Sequence, residues 1–161
     1  MSFDEWFEEY GRASLPVYDW RWFKAQARAE SSLNPEAVSP AGAQGLMQIM
    51  PRTWAEIEDE LGIIASPFNA KVNIRFGIHY MRKMVRFWKA PRTDEERLKL
   101  AQASYNAGAG NVLRAQRLCN DASLWSQIAW CMPDVTGGKN SHETITYVER
   151  IARYYDEFTA P

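Results

Sequence analysis

Apolar residues recur at helical spacing along almost the whole chain. A period near 3.6 marks one face of a helix, whereas a half-buried strand needs a period of two. The fold class this predicts is all-α. Phe3, Trp6, Phe7 and Tyr10 form a first stripe, with Gly11 as its expected stop. Trp20, Phe23, Ala27 and Glu30 share a face of a second segment, which follows Pro16 and ends by Asn34. Residues 31–45 carry two Pro, two Gly, three Ser and an Asn, and read as loop.

The later segments follow the same logic. Residues 45–50 read as a short turn of helix, and Pro51 suits the first position of a helix over 52–61. Asn69 can cap a long helix to about Trp88, with Val72, Phe76, Tyr80, Met84 and Phe87 as its inner stripe. Thr93 and Glu96 have capping-box spacing for a helix reaching Tyr105, and a shorter helix is expected after Gly110. Gly137 and Gly138 read as loop. Ser141 is expected to cap a last helix whose apolar positions are Ile145, Val148, Ile151, Tyr154, Tyr155 and Phe158. This pattern leaves room only for a small irregular β element.

A chain of 161 residues is long enough to bury its own core, and residues 1–161 read as one domain. Seven Trp, seven Tyr and seven Phe are many. They fit a core of large side chains, and equally a groove of ring faces on which sugar rings stack. A net charge of −1 with scattered Lys and Arg excludes a phosphate-tracking, nucleic-acid-binding surface. The start, Met-Ser-Phe-Asp-Glu, has neither a basic n-region nor an apolar h-region, so no signal peptide is expected. No apolar run approaches membrane-spanning length, so no membrane insertion is expected.

Cys119 and Cys131 are close in sequence. They read either as two buried thiols or as a bridge closing a loop of about 13 residues, which would contribute roughly 3 kcal/mol. No Cys/His spacing suggests a metal site, because His79 and His142 lie far from each other and from the cysteines.

Three constellations carry chemistry. Glu30 ends an aromatic-rich helical segment beside a Ser-rich loop. Burial against Trp20, Trp22 or Phe23 would disfavour its ionised form, which is how a lone general acid is kept protonated. Tyr105-Asn106-Ala107-Gly108 is a helix C-terminus with a glycine cap that also presents a phenol and an amide. Glu143-Thr144 precedes Tyr147-Val148, placing Glu143 and Tyr147 on one helix face at i, i+4. The acidic run Glu56, Glu58, Asp59 and Glu60 reads as a solvated face.

Together, in this order and in a domain of this size, the three resemble the family-1 lytic transglycosylases. This is the soluble lytic transglycosylase domain of the lysozyme-like superfamily, related in fold to goose-type lysozyme. The resemblance covers about 17–155. It is most specific in E-S-x-x-N-P…S-P-x-G-A-x-G-L-M-Q-I-M-P, from Glu30 to Pro51, with Y-N-A-G at 105–108 and E-T-x-x-Y-V at 143–148. One departure is Ser104, where the family usually has Ala.

The resemblance implies that Glu30 is the catalytic acid. It implies that Ser39 supports the substrate's N-acetyl group or the acid, and that Gln48 and Met50 line the glycan cleft. Tyr105 and Asn106 would stand near the acid, with Glu143 and Tyr147 as the second cleft wall. The implied reaction cleaves the bond between N-acetylmuramic acid and N-acetylglucosamine without water and leaves a 1,6-anhydro ring. It needs one carboxyl group and neither metal nor cofactor. Peptidoglycan glycan strands are the implied partner, met by a monomer.

Two other readings are a goose-lysozyme-like hydrolase, with Glu143 positioning water, and a non-catalytic peptidoglycan-binding module. The expected setting is a phage endolysin, made in the cytoplasm of a bacterial host and acting on the periplasmic wall, with a trimmed piece of a bacterial periplasmic or secretion-system enzyme as the alternative.

Overall fold

The structure, a computed structural model, describes residues 2–161. Among these residues there are nine helices and no strand longer than an isolated bridge. The all-α class is therefore observed. The helices are α1 (Phe3–Ser14), α2 (Arg21–Ser31), α3 (Pro51–Leu61), α4 (Ala70–Phe87), α5 (Asp94–Ala107), α6 (Ala109–Leu118), α7 (Trp125–Cys131), α8 (Pro133–Thr136) and α9 (Gly138–Thr159). Backbone contacts group them into two compact units, one of residues 1–80 with 151–161 and one of residues 81–150.

In the first unit α1 packs on α2. Gly11 does not stop α1 but lies inside it. A side chain there would put its Cβ 3.0 Å from Cβ of Trp20, so the glycine serves the close approach of two helices. The end of α9 is fastened along α2: Tyr155 stacks on Trp22 with ring centroids 3.8 Å apart, and Arg28 pairs with Glu157 at 2.6 Å while lying over Tyr154. The core of this unit gathers Ile49, Trp54, Ile57 and Phe76, with the Trp54 and Phe76 rings 4.3 Å apart. Burying four such side chains contributes on the order of 6–12 kcal/mol before conformational entropy is set against it.

Residues 45–50 are not a helix. The chain folds back on itself instead, with Gln44 bridging both Val38 and Ile49, and this is the small β element. Trp88, rather than Phe87, is the buried residue at the end of α4: it is 3% exposed against 43%.

In the second unit α5, α6 and α7 pack against one another, and α8 packs on α6 and α7. Thr93 caps α5 by accepting from the Glu96 N–H, as the capping-box spacing predicts. Ser104 accepts the buried indole N–H of Trp88 at 2.9 Å, which gives the family departure a structural partner. Cys119 and Cys131 form a disulfide, their Cα atoms 6.0 Å apart, so the bridged alternative is the observed one. α7 and α8 were not legible in the sequence, and α9 starts at Gly138, three residues before the expected Ser141 cap.

Candidate active site

Glu30 is the penultimate residue of α2 and is half-buried. What holds it there begins with its neighbour. The Ser31 hydroxyl donates to the Leu46 carbonyl at 2.7 Å and accepts from the Asn34 N–H at 3.2 Å. Ser32 and Leu33 then adopt φ of +56° and +59°, a left-handed pair without glycine. Such residues cost about 1–3 kcal/mol each and persist only where the surroundings over-determine them.

The loop after α2 is built from its own polar groups. Ser39 Oγ accepts from the Ala43 N–H at 3.0 Å, closing the 39–43 turn. Gln48 has φ +52°, and its Nε2 donates to the carbonyls of Ala37 at 3.1 Å and Gly45 at 2.9 Å. Its amide nitrogen is thus used inside the loop. Met50 is 43% exposed at the N-cap of α3.

Asn73, on α4 and wholly buried, clamps this loop from outside. Its Oδ1 accepts from the Met47 N–H at 2.8 Å, and its Nδ2 donates to the carbonyls of Gln44 at 3.1 Å and Pro67 at 2.9 Å. Gly45, at φ +81°, leaves room for that amide, since a Cβ there would stand 2.2 Å from Asn73 Nδ2. Sequence reasoning missed Asn73 because a lone Asn within an apolar helical stripe carries no local signal. Among the described residues of the first unit, this loop has one acidic side chain, Glu36, and it is exposed.

In the second unit Tyr105 and Asn106 end α5, and Gly108, at φ +90°, turns the chain into α6. Asn106 and Glu143 come together in one polar pocket of about 260 Å³, which Asn111, Thr136, Asn140 and Thr144 also line. Tyr105 and Tyr147 are not in its lining. Glu143 is exposed, whereas Tyr147 is 4% exposed and packs inward. The i, i+4 pairing therefore separates one polar residue facing out from one ring facing in. Thr144, two per cent exposed, donates to Asn106 Oδ1 at 2.7 Å. It stood beside Glu143 in the E-T motif, which was the signal for it.

A family model, the transglycosylase SLT domain, matches residues 12–128. The chain belongs to that family. It is 31% identical to the membrane-bound lytic murein transglycosylase F of Shewanella frigidimarina, over 96% of this chain and 34% of the relative. It is 33% identical to the protein of that name in Desulfosudis oleivorans, over 86% of this chain and 33% of the relative.

Among solved structures, the soluble lytic transglycosylase SLT70 of Escherichia coli superposes with a TM-score of 0.76 at 25% identity, over 99% of this chain and 25% of that one. An inactive mutant of the lytic transglycosylase Slt of Pseudomonas aeruginosa gives 0.75 at 25% identity, over the whole of this chain and 25% of that one. The transglycosylase SLT domain described here thus spans about a third of the curated relatives it matches. Among its described residues no helix is long and apolar enough to cross a membrane, and no three His, Cys, Asp or Glu side chains are placed to hold a metal ion.

Proposed function

We propose that this transglycosylase SLT domain cleaves peptidoglycan glycan strands non-hydrolytically, with Glu30 as acid and then as base. The observation that carries the reading is the acid content of the loop after Glu30. The built loop that follows it, inside the residues matched by the family, offers only the exposed Glu36 as a second acid. Glycoside hydrolysis normally uses two carboxyl groups on either side of the scissile bond. Intramolecular transfer needs one.

In this mechanism protonated Glu30 donates to the oxygen linking N-acetylmuramic acid to N-acetylglucosamine, and the C–O bond breaks as positive charge develops at the anomeric carbon. The 2-acetamido oxygen of the muramic residue stabilises that charge. The Glu30 carboxylate then removes the proton of the muramic C6 hydroxyl, whose oxygen closes the 1,6-anhydro ring. Glu30 ends as it began, and no water is consumed. Half-burial at a helix end held by Ser31 supplies the fixed position that such double use requires.

Ser39, Gln48 and Met50 shape the wall beside Glu30; within the second unit Asn106 and Glu143 contact glycan from their own pocket, with Tyr105 beside them on α5 and the buried Tyr147 packing behind on α9. The Cys119–Cys131 bridge supports action in an oxidising compartment outside the cytoplasm, where murein lies. Glu30→Gln tests the assignment. Turbidity clearance of purified peptidoglycan should slow by about 10²–10⁴-fold, the usual size of a general acid–base contribution, with the melting temperature unchanged. Clearance at the wild-type rate overturns it.

A further inference from the structure

The pocket of the second unit has its hydrogen-bonding directions fixed. Thr144 Oγ1 also lies 3.1 Å from the Asn140 carbonyl, the longer of its two contacts. The hydroxyl proton therefore goes to Asn106 Oδ1, the nearer acceptor at 2.7 Å, in a buried setting where such a bond is strong. With its oxygen held, Asn106 has its Nδ2 donors left for the pocket.

Asn140 is anchored the opposite way round: its Nδ2 donates to the Thr136 carbonyl at 3.2 Å, which leaves Oδ1 as an acceptor. Asn111 is used at both ends, donating to the Ala107 carbonyl at 2.7 Å and accepting from Arg114. The Thr136 hydroxyl donates to the Met132 carbonyl at 3.3 Å. What the pocket has left to offer includes the Asn106 Nδ2 donors and two acceptors, Asn140 Oδ1 and the Glu143 carboxylate. No Lys or Arg lines it.

A carboxylate or phosphate finds no Lys or Arg in the lining and meets Glu143, and a hydroxyl must make its bonds from a single oxygen. A secondary amide reaches both kinds at once from separate groups, its C=O accepting from Asn106 and its N–H donating to Asn140 or Glu143. The volume of about 260 Å³ is ample for such a group with its substituents.

We propose that this pocket is a secondary-amide subsite, and that Thr144 is the positioning residue that turns Asn106 into its donor. The proposal rests on the reading that the chain acts on peptidoglycan, which carries secondary amides in two places, the acetamido groups of its sugars and its peptide stems.

The test measures binding rather than turnover, by calorimetry on the full chain carrying Glu30→Gln so that the strands stay whole. Three probes are used: stem-free N-acetylated glycan strands, stem-free strands with the acetyl groups removed, and de-N-acetylated strands that keep their stems. Adding Thr144→Val, of nearly the same shape, should weaken binding of an amide-bearing probe about tenfold, and Thr144→Ser should restore it. Binding of the stem-free, de-N-acetylated strands should not change.

A loss confined to the first probe assigns the acetamido group. A loss confined to the third assigns the stem. Either supports the subsite, provided Thr144→Val melts within a few degrees of its parent. Equal losses on all three probes, or none on any, overturn it. Asn106→Asp, which replaces the donor by an acceptor while keeping the oxygen that Thr144 bonds, is the second variant and should reproduce the valine result. Failure of the transglycosylase reading shows separately, as unimpaired wall clearance by Glu30→Gln alone.

Discussion

The Ser31 hydroxyl donates to the Leu46 carbonyl at 2.7 Å, so the residue next to Glu30 holds the loop that returns past it. The helix end, the left-handed pair Ser32 and Leu33, and the bridge between Gln44 and Ile49 act as one body. Asn73 closes it from the far side with three hydrogen bonds. Strain gathered beside an acid is expected where the position of that acid matters more than local stability.

Ser31→Ala removes the tie and leaves the Leu46 carbonyl without its hydroxyl donor. The loss in stability should be about 1 kcal/mol, the net value of one such bond. The loss in kcat should be larger, about tenfold or more, because small displacements of a catalytic group are costly. Kinetics on purified peptidoglycan and a urea titration give the two numbers. A kcat that falls no further than stability does would mean Ser31 is structural only.

Gln26, one turn before Glu30, is wholly buried, and among the described residues neither its Nε2 nor its Oε1 has a hydrogen-bond partner. A buried orphan amide costs about 1–3 kcal/mol. Gln26→Met keeps the volume and removes the polar atoms, so the melting temperature should rise by about 2–4 °C for each kcal/mol regained. A fall would show that the amide is satisfied in solution.

Much of this arrangement was legible from residue spacing, and the remainder fails for identifiable reasons. The Trp20, Phe23, Ala27, Glu30 face gave α2 and put its acid near the end, because period and burial act locally. The run Gly45–Met50 reads as helix because Leu, Met and Gln are good helix formers. A bridge between Gln44 and Ile49 and an Asn 26 residues beyond Met47 overrule that propensity, and neither shows in a local window. Gly11 looked like a stop because its partner, Trp20, stands at the N-cap of another helix. α7 is short and follows a left-handed pair, Asn120 and Asp121, inside the disulfide loop, so its placement depends on the bridge rather than on a stripe. Of the candidate site, the place of Glu30 near the end of α2 could be anticipated; that Asn106 and Glu143 would line one pocket without Tyr105 and Tyr147 could not. That Gln48 would turn its amide nitrogen into its own loop could not either.

Asp19 should make stability depend on acid. Arg21 donates to both its carboxylate oxygens, at 3.0 and 2.6 Å, and the Tyr155 hydroxyl donates at 3.2 Å. The Arg21 hydrogen bond, opposed by burial, holds the carboxyl below its ordinary value of 3.8. A carboxyl group lowered on folding stabilises above the ordinary value, and that stability is lost as pH falls through the lowered one. Asp19→Asn should therefore melt below wild type at neutral pH, with the two curves converging well below pH 3.8. Thermal melts at stepped pH check this, and a constant gap at every pH would contradict it.

In the proposed reaction Glu30 serves one substrate twice and lets no water in. Digesting purified peptidoglycan in heavy-oxygen water and analysing the muropeptides by mass spectrometry tests it most directly. The expected products are 1,6-anhydromuramic ends without incorporated label, which disappear with Glu30→Gln. Reducing ends carrying the heavy oxygen would contradict it and make the enzyme a hydrolase.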